Sequence, residues 1–173
     1  MISVLRRILR TGILTEPPVV AEGGPQRAMG LLHDEILAIL GRALTIREVD
    51  AGSCNGCELE IHALNNPYYN IEGRGIKFVA SPRHADMLLV TGPVTKNMEN
   101  ALRIAYDCTP DPKLVVAVGD CGCGHGEVGQ LFGENYATCG AVENVVAVDV
   151  RVPGCPPTPL ALMQGILAAV NRK

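Results

Sequence analysis

From Thr45 onward, short apolar runs alternate along the chain with stretches of helical period. Strands are predicted at Thr45 to Asp50, Ile76 to Ala80, Met87 to Thr91, Lys113 to Val118 and Val145 to Val150. Several of these are continuous apolar runs, as expected of strands in a sheet covered on both faces. Between Asn97 and Cys108, Met98, Ala101, Leu102 and Ala105 recur at i, i+3, i+4 and i+7, and the pattern stops before Pro110-Asp111-Pro112, which predicts a helix. A last helix is marked by Thr158 as its N-cap, Pro159 in its first position and a stripe of Leu160, Met163, Leu167 and Val170. Such alternation predicts an α/β fold built on a doubly wound, mostly parallel sheet.

The first 44 residues follow a different pattern. Leu5, Ile8 and Leu9 share one helical face, with Arg6, Arg7 and Arg10 towards the other, so residues 1–15 read as a basic amphipathic segment. That pattern suits docking on a membrane surface or membrane subunit, and equally a short helix packed on its own domain. Glu16-Pro17-Pro18 ends it. Residues 16–30 hold three prolines and three glycines with no apolar period, and read as an extended arm. Leu32, Ile36, Ile39 and Leu40 give Leu31 to Leu44 a helical pattern. The expected organisation is therefore an N-terminal region over 1–44 and one compact domain over 45–173.

Composition narrows the functional classes. The 173 residues are 47% hydrophobic, enough for one substantial core. Aromatics make up only 3%, Trp is absent and the net charge is -3, so neither stacking platforms nor a basic field for nucleic acid are present. Seven cysteines, clustered in Gly- and Pro-rich turns, favour metal or redox use in a reducing compartment over a disulfide framework. No apolar run is long enough to span a bilayer, and no export-signal pattern is expected at the N-terminus.

Three cysteine motifs follow three predicted strands: Ser53-Cys54-Asn55-Gly56-Cys57 after Asp50, Gly119-Asp120-Cys121-Gly122 after Val118, and Pro153-Gly154-Cys155-Pro156-Pro157 after Val150. Open α/β sheets bind ligands at the C-terminal edge of their strands, so Cys54, Cys57, Cys121 and Cys155 can converge although distant in sequence. Four thiolates are the ligand set of an iron–sulfur cluster. Gly52, Gly56, Gly119, Gly122 and Gly154 allow close backbone approach and N–H groups turned to sulfur. A thioredoxin-like dithiol would use only Cys54 and Cys57 and leave the other two unexplained. A structural zinc site usually pairs two short knuckles, whereas here one pair joins two single cysteines.

At these residues the chain resembles the short form of the small subunit of NiFe hydrogenases, a family shared with a cluster-bearing subunit of respiratory complex I. The matching pieces run from about Ile46 to Leu167: Gly52-Ser53-Cys54-Asn55-Gly56-Cys57-Glu58, Ser81-Pro82-Arg83-His84-Ala85-Asp86, Thr91-Gly92-Pro93-Val94-Thr95, Gly119-Asp120-Cys121-Gly122 and Val152-Pro153-Gly154-Cys155-Pro156-Pro157-Thr158. The resemblance implies a flavodoxin-like domain with one 4Fe-4S cluster on Cys54, Cys57, Cys121 and Cys155. The complex I homologues typically carry two adjacent cysteines in the first motif. The spacing Cys54-x-x-Cys57 is the hydrogenase one, and resembles the energy-converting, membrane-bound group that includes formate hydrogenlyase. Exported small subunits add a C-terminal region with further clusters and a Tat signal, and this chain is expected to have neither.

The implied role is an electron relay between a ferredoxin-like multi-cluster subunit and a NiFe-type large subunit that reduces protons. The implied setting is peripheral, on the cytoplasmic side of the cell membrane, beside integral membrane subunits. The alternatives are a cluster-bearing subunit of a complex I-like quinone or sulfur reductase, and a zinc-stabilised scaffold. The resemblance also implies a place in or near proton transfer for Glu58, against which stands a first-turn carboxylate favouring its helix dipole. Arg83 reads equally as a cation for the cluster or a partner and as a loop brace; for His84 and Asp86 the brace is the expected role. Cys108, Cys123 and Cys139 exceed the ligand set. Cys121-Gly122-Cys123 leaves two candidates for the third ligand, of which Cys121 follows Gly119-Asp120 as the family ligand does.

Overall fold

The structure, a computed structural model, describes Ala38 and residues 41–172. The amphipathic segment, the Pro/Gly arm and most of the Leu31 to Leu44 helix lie outside the described residues. That helical pattern reads through to Leu44, whereas Gly41 and Arg42 form a bend and Leu44 opens the first strand.

Five parallel strands form the central sheet: β1 (Leu44–Asp50), β2 (Ile76–Phe78), β3 (Met87–Thr91), β5 (Leu114–Val118) and β7 (Val150–Val152). Their order is β2-β1-β3-β5-β7. Counted within the sheet this is 2-1-3-4-5, the order of doubly wound folds such as flavodoxin. A separate two-stranded antiparallel ribbon pairs β4 (Val94–Thr95) with β6 (Thr138–Gly140).

Both faces of the sheet are covered, which explains why β3 and β5 are apolar at nearly every position. Leu44, Ile46, Met87, Leu89, Val116 and Val118 point to one side, beneath α1 (Gly56–Ala63) and α5 (Pro159–Val170). Leu88, Val90, Val115 and Ala117 point to the other, where they meet Leu102 of α2 (Lys96–Cys108) and Cys123 at the end of the short helix α3 (Gly119–Cys123). A second short helix, α4 (Gly126–Leu131), follows. The predicted stripes hold in part. In α2, Leu102 is buried while Ala101 is exposed, and in α5 Leu162, Met163, Ile166 and Val170 face the core with Leu160 and Leu167 at its margin. Thr158 caps α5 as expected, its Oγ1 accepting from the Ala161 N–H.

The last strand departs from its predicted place. The run Val145 to Val150 is apolar because Val145 and Val146 fill the core on the α2 side, not because it lies in the sheet. Pairing starts only at Val150, after Asp149 has accepted from the Val115 N–H at 2.8 Å and donated its own N–H to the Val115 carbonyl at 2.9 Å. The cysteine loop that follows still leaves the C-terminal end of a parallel strand, now Val152.

Candidate functional site

Each cysteine loop is shaped by its own short-range chemistry. After β1, Asp50 Oδ1 accepts from the Gly52 and Ser53 N–H groups, both at 2.8 Å, and Ser53 Oγ accepts from the Asn55 N–H at 3.0 Å. This turns the chain upward so that α1 begins at Gly56, with Cys57 in its first turn and Cys54 just ahead of it. After β5, Gly119 opens α3 and places Cys121 in that helix. The third loop, after β7, carries Cys155 and a cis Cys155–Pro156 bond.

The loops are tied to one another. The Asp120 N–H donates to the Gly154 carbonyl at 2.9 Å, and the Gly154 N–H donates to Asp120 Oδ1 at 2.7 Å. That reciprocal pair locks the Cys121 and Cys155 segments together. Cys57 reaches the same region: a Cβ at Gly119 would lie 2.7 Å from Cys57 Sγ, and Gly119 has a φ of +85°, so only glycine leaves the sulfur its room. Pro156 packs towards Gly56, completing the ring of loops.

The electrostatics report the same convergence. Burial pushes the Cys57 thiol up to about 12, and ionisation is opposed further by Glu58 and by Cys121, Cys54 and Cys155 in turn. Cys121 is also raised, first by burial and then by Cys155, with Cys54 adding to it. Cys57 and Cys121 thus each lie within electrostatic range of the other three predicted thiols. They share one space at the C-terminal sheet edge, with Cys54 and Cys155 exposed and the other two half-buried. Among the described residues, no three His, Cys, Asp or Glu side chains are grouped as ligands of a single metal ion.

Glu58 lies against this space. It is 7% exposed, and neither carboxylate oxygen has a hydrogen-bond partner. On β1 below it, Glu48 is raised above its ordinary value, first by burial and then by the Glu58 charge, with His62 acting in the opposite direction. Thr91, at the end of β3, is fully buried, and its hydroxyl also lacks a partner. The sequence marks Asp120 and Thr91 only as members of the stretches that carry the resemblance and Glu48 not at all, and it assigns none of the three a role. Asp120 stands beside a cysteine, but a cross-loop clasp cannot be read without the loops in place.

The remaining candidates lie elsewhere. Cys123 is buried on the α2 side, where its thiol donates to the Ala117 carbonyl at 3.4 Å. Cys139 is buried in β6 and donates to Glu99 Oε2 at 3.3 Å. Arg83 and His84 lie on the turn before β3, at the opposite edge of the sheet, and line a cavity of about 340 Å³ with Arg42, Asp86 and Asp111. Neither reaches the thiols. Asp86 is a brace there, accepting both Arg42 guanidinium nitrogens together with the Thr45 N–H and hydroxyl.

A sequence profile described as "NADH ubiquinone oxidoreductase, 20 Kd subunit" matches residues 54–169, from the first cysteine of the site almost to the end of α5. The chain belongs to this family. Relatives similar to it include the probable membrane-bound hydrogenase subunit mbhJ of Pyrococcus furiosus, 44% identical over 80% of this chain and 80% of its own length. Formate hydrogenlyase subunit 7 of Escherichia coli is 43% identical over 79% of this chain and 52% of its own. An NADH-quinone oxidoreductase subunit of Desulfovibrio desulfuricans is 43% identical over 73% and 66%. Among solved structures, a chain of the archaeal membrane-bound sulfane sulfur reductase, a respiratory membrane complex, superposes with a TM-score of 0.62 at 30% identity, covering 86% of this chain and 75% of that one. The 20 Kd family thus places the chain among subunits of oxidoreductase complexes.

Proposed function

We propose that this chain is the electron-relay subunit of a membrane-associated, energy-converting NiFe hydrogenase, with one 4Fe-4S cluster held by Cys54, Cys57, Cys121 and Cys155. The observation that carries this reading is the convergence of those four thiols, from three loops, at one end of the sheet. The donor set fits the group. Four thiols are the ligand set of an iron–sulfur cluster, bound metal would hold Cys57 and Cys121 deprotonated against the burial that raises them, and Gly119 leaves room at Cys57 for a sulfur-ligated group. When bound, such a cluster supplies reversible one-electron storage.

The chain's own contribution is position and electrostatics. The Asp120 clasp holds two ligand loops at a fixed separation, and the Asp50 turn delivers the other two ligands at the start of α1. Glu58, buried one residue from Cys57, is a carboxylate for proton movement beside the relay. The exposed thiols mark the side on which a NiFe-type large subunit docks. A ferredoxin-like multi-cluster subunit and integral membrane subunits complete the complex, with this chain peripheral on the cytoplasmic side. Two relatives named as subunits of a membrane-bound hydrogenase and of formate hydrogenlyase support that setting. Among the described residues no helix is long and apolar enough to cross a membrane.

A second reading, the equivalent subunit of a quinone or sulfur reductase, is favoured by the likeness to the sulfane sulfur reductase chain and to the NADH-quinone oxidoreductase relative. Purifying the chain with its large subunit separates the two: nickel on that subunit supports the hydrogenase, and its absence with cluster present supports the reductase. The cluster itself is tested by iron and acid-labile sulfide analysis with EPR of the reduced protein. A colourless protein with zinc and no iron would establish the zinc-stabilised scaffold instead.

A further inference from the structure

Thr91 is the residue of the site that no ligand pattern explains. It ends β3, the central strand, whose neighbours β1 and β5 lead into the loops of Cys54, Cys57 and Cys121. Its side chain shares a face with Met87 and Leu89, the face covered by α5 and by α1, the helix that carries Cys57 and Glu58. In the ladder Thr91 pairs with Asp50 on one side and Val118 on the other. Val118 is followed at once by Gly119, over which the Cys57 sulfur sits. The Thr91 carbonyl is already used, accepting from the Ala51 N–H at 3.1 Å as the cysteine loop departs.

The hydroxyl has no such use. It is fully buried without a partner, and an unsatisfied buried hydroxyl costs stability. The Glu58 carboxylate does not take it, since both of its oxygens are likewise without partners. Threonine here is not a packing necessity, because valine fills the same volume without the hydroxyl. The nearest group the adjacent loop offers an O–H donor is the Cys57 sulfur over Gly119, one residue beyond Val118, the ladder partner of Thr91. A protonated Cys57 thiol is a poor acceptor, whereas a metal-bound thiolate or an inorganic sulfide is a good one.

Resting on the cluster assignment of the proposed function, we infer that the Thr91 hydroxyl donates a hydrogen bond to sulfur on the Cys57 side of the bound cluster and raises its reduction potential. Reduction adds negative charge to the cluster, and a donor aimed at sulfur stabilises the reduced form more than the oxidised one. Thr91 is thus a positioning and tuning residue; it ligates nothing.

The test compares Thr91→Val, Thr91→Ser and Thr91→Ala with wild type in the full-length chain, loaded anaerobically with ferrous iron and sulfide. Iron and sulfide content are measured first, and the potential is then titrated by EPR. The expected result is full cluster content in all four. Thr91→Val and Thr91→Ala shift to lower potential by about a tenfold change in the reduction equilibrium, about 59 mV for one electron. Thr91→Ser stays near wild type. Equal potentials for wild type and Thr91→Val would overturn the inference while leaving the cluster assignment standing. Iron-free wild type would overturn both. If Thr91→Val and Thr91→Ala hold no cluster, retention by Thr91→Ser alone still assigns the role to the hydroxyl. Loss in all three variants assigns Thr91 to packing and rejects the inference.

Discussion

The two edges of the central sheet are built on opposite terms. At the N-terminal edge, charge is matched: Asp86 is held by Arg42 and by both donors of Thr45, joining the starts of β1 and β3. At the C-terminal edge, one carboxylate and one hydroxyl are buried without partners, two thiols are exposed, and the other two, Cys57 and Cys121, are pushed up by burial and by their neighbours. The first edge uses its polar groups to hold the fold. The second leaves them unsatisfied around a space, and such unpaired groups mark a site completed by something else.

The largest expected effect comes from breaking the second edge. Cys155→Ser loses most of the iron and abolishes or converts the cluster's EPR signal, while Cys108→Ser, at the end of α2 and away from the ligand loops, keeps both. A normal spectrum from Cys155→Ser would refute the ligand set. Thermal melting of metal-free Cys155→Ser should match that of metal-free wild type, because this edge contributes little to the fold without its occupant.

Breaking the first edge should do the reverse. Asp86→Asn is expected to lower stability by about 1–2 kcal/mol, the range for losing hydrogen bonds to a charged acceptor with a partly exposed partner, and to leave iron content unchanged. Burial alone would raise the Asp86 carboxyl, but the Thr45 hydroxyl and N–H and the Arg42 guanidinium outweigh it and hold the group below its ordinary 3.8. A lowered carboxylate stabilises the fold above the unfolded value, and the contribution is lost as pH falls through the folded one. The deficit of Asp86→Asn should therefore be full near neutral pH and shrink as pH drops below about 3.8. A deficit that persists at low pH would mean packing, not charge.

The smallest effect sharpens the boundary between the edges. Glu48 sits on β1 beneath α1, raised by burial first and then by Glu58. A raised carboxyl binds more protons folded than unfolded, so it costs stability once pH rises above its ordinary 4.5. Glu48→Gln should stabilise the metal-free chain by about a few tenths of a kcal/mol at neutral pH, allowing for screening of a half-exposed group, and change nothing well below pH 4.5. Paired urea melts at the two pH values check this, and an equal gain at both would exclude the charge explanation.

How far the sequence carried the reading depended on whether a feature is periodic. Met87 to Thr91 is bounded by polar loops, and its strand falls where the run predicts. Val145 to Val148 is as apolar as any strand, yet it packs as irregular chain against α2; burial selects valine whether or not the backbone is paired. The ribbon of β4 and β6 is too short to give an alternation, and α3 is hidden because Gly119-Asp120-Cys121-Gly122-Cys123 has the composition of a loop. The four cysteines stand out because strand ends are legible, and the topology brings the ends that carry them to one edge of the sheet; their role as ligands belongs to the proposed function. Thr91, Glu48 and the Asp120 clasp were not legible, since their meaning lies in neighbours distant along the chain.

The clasp between Asp120 and Gly154 has a consequence for assembly. It reduces a site drawn from three loops to two preformed halves, one carrying Cys54 and Cys57 and the other Cys121 and Cys155. The conformational freedom that three independent loops would surrender on meeting an incoming metal group is instead given up during folding of the polypeptide. On the proposed function, loading becomes the closing of two jaws, one of them already clasped.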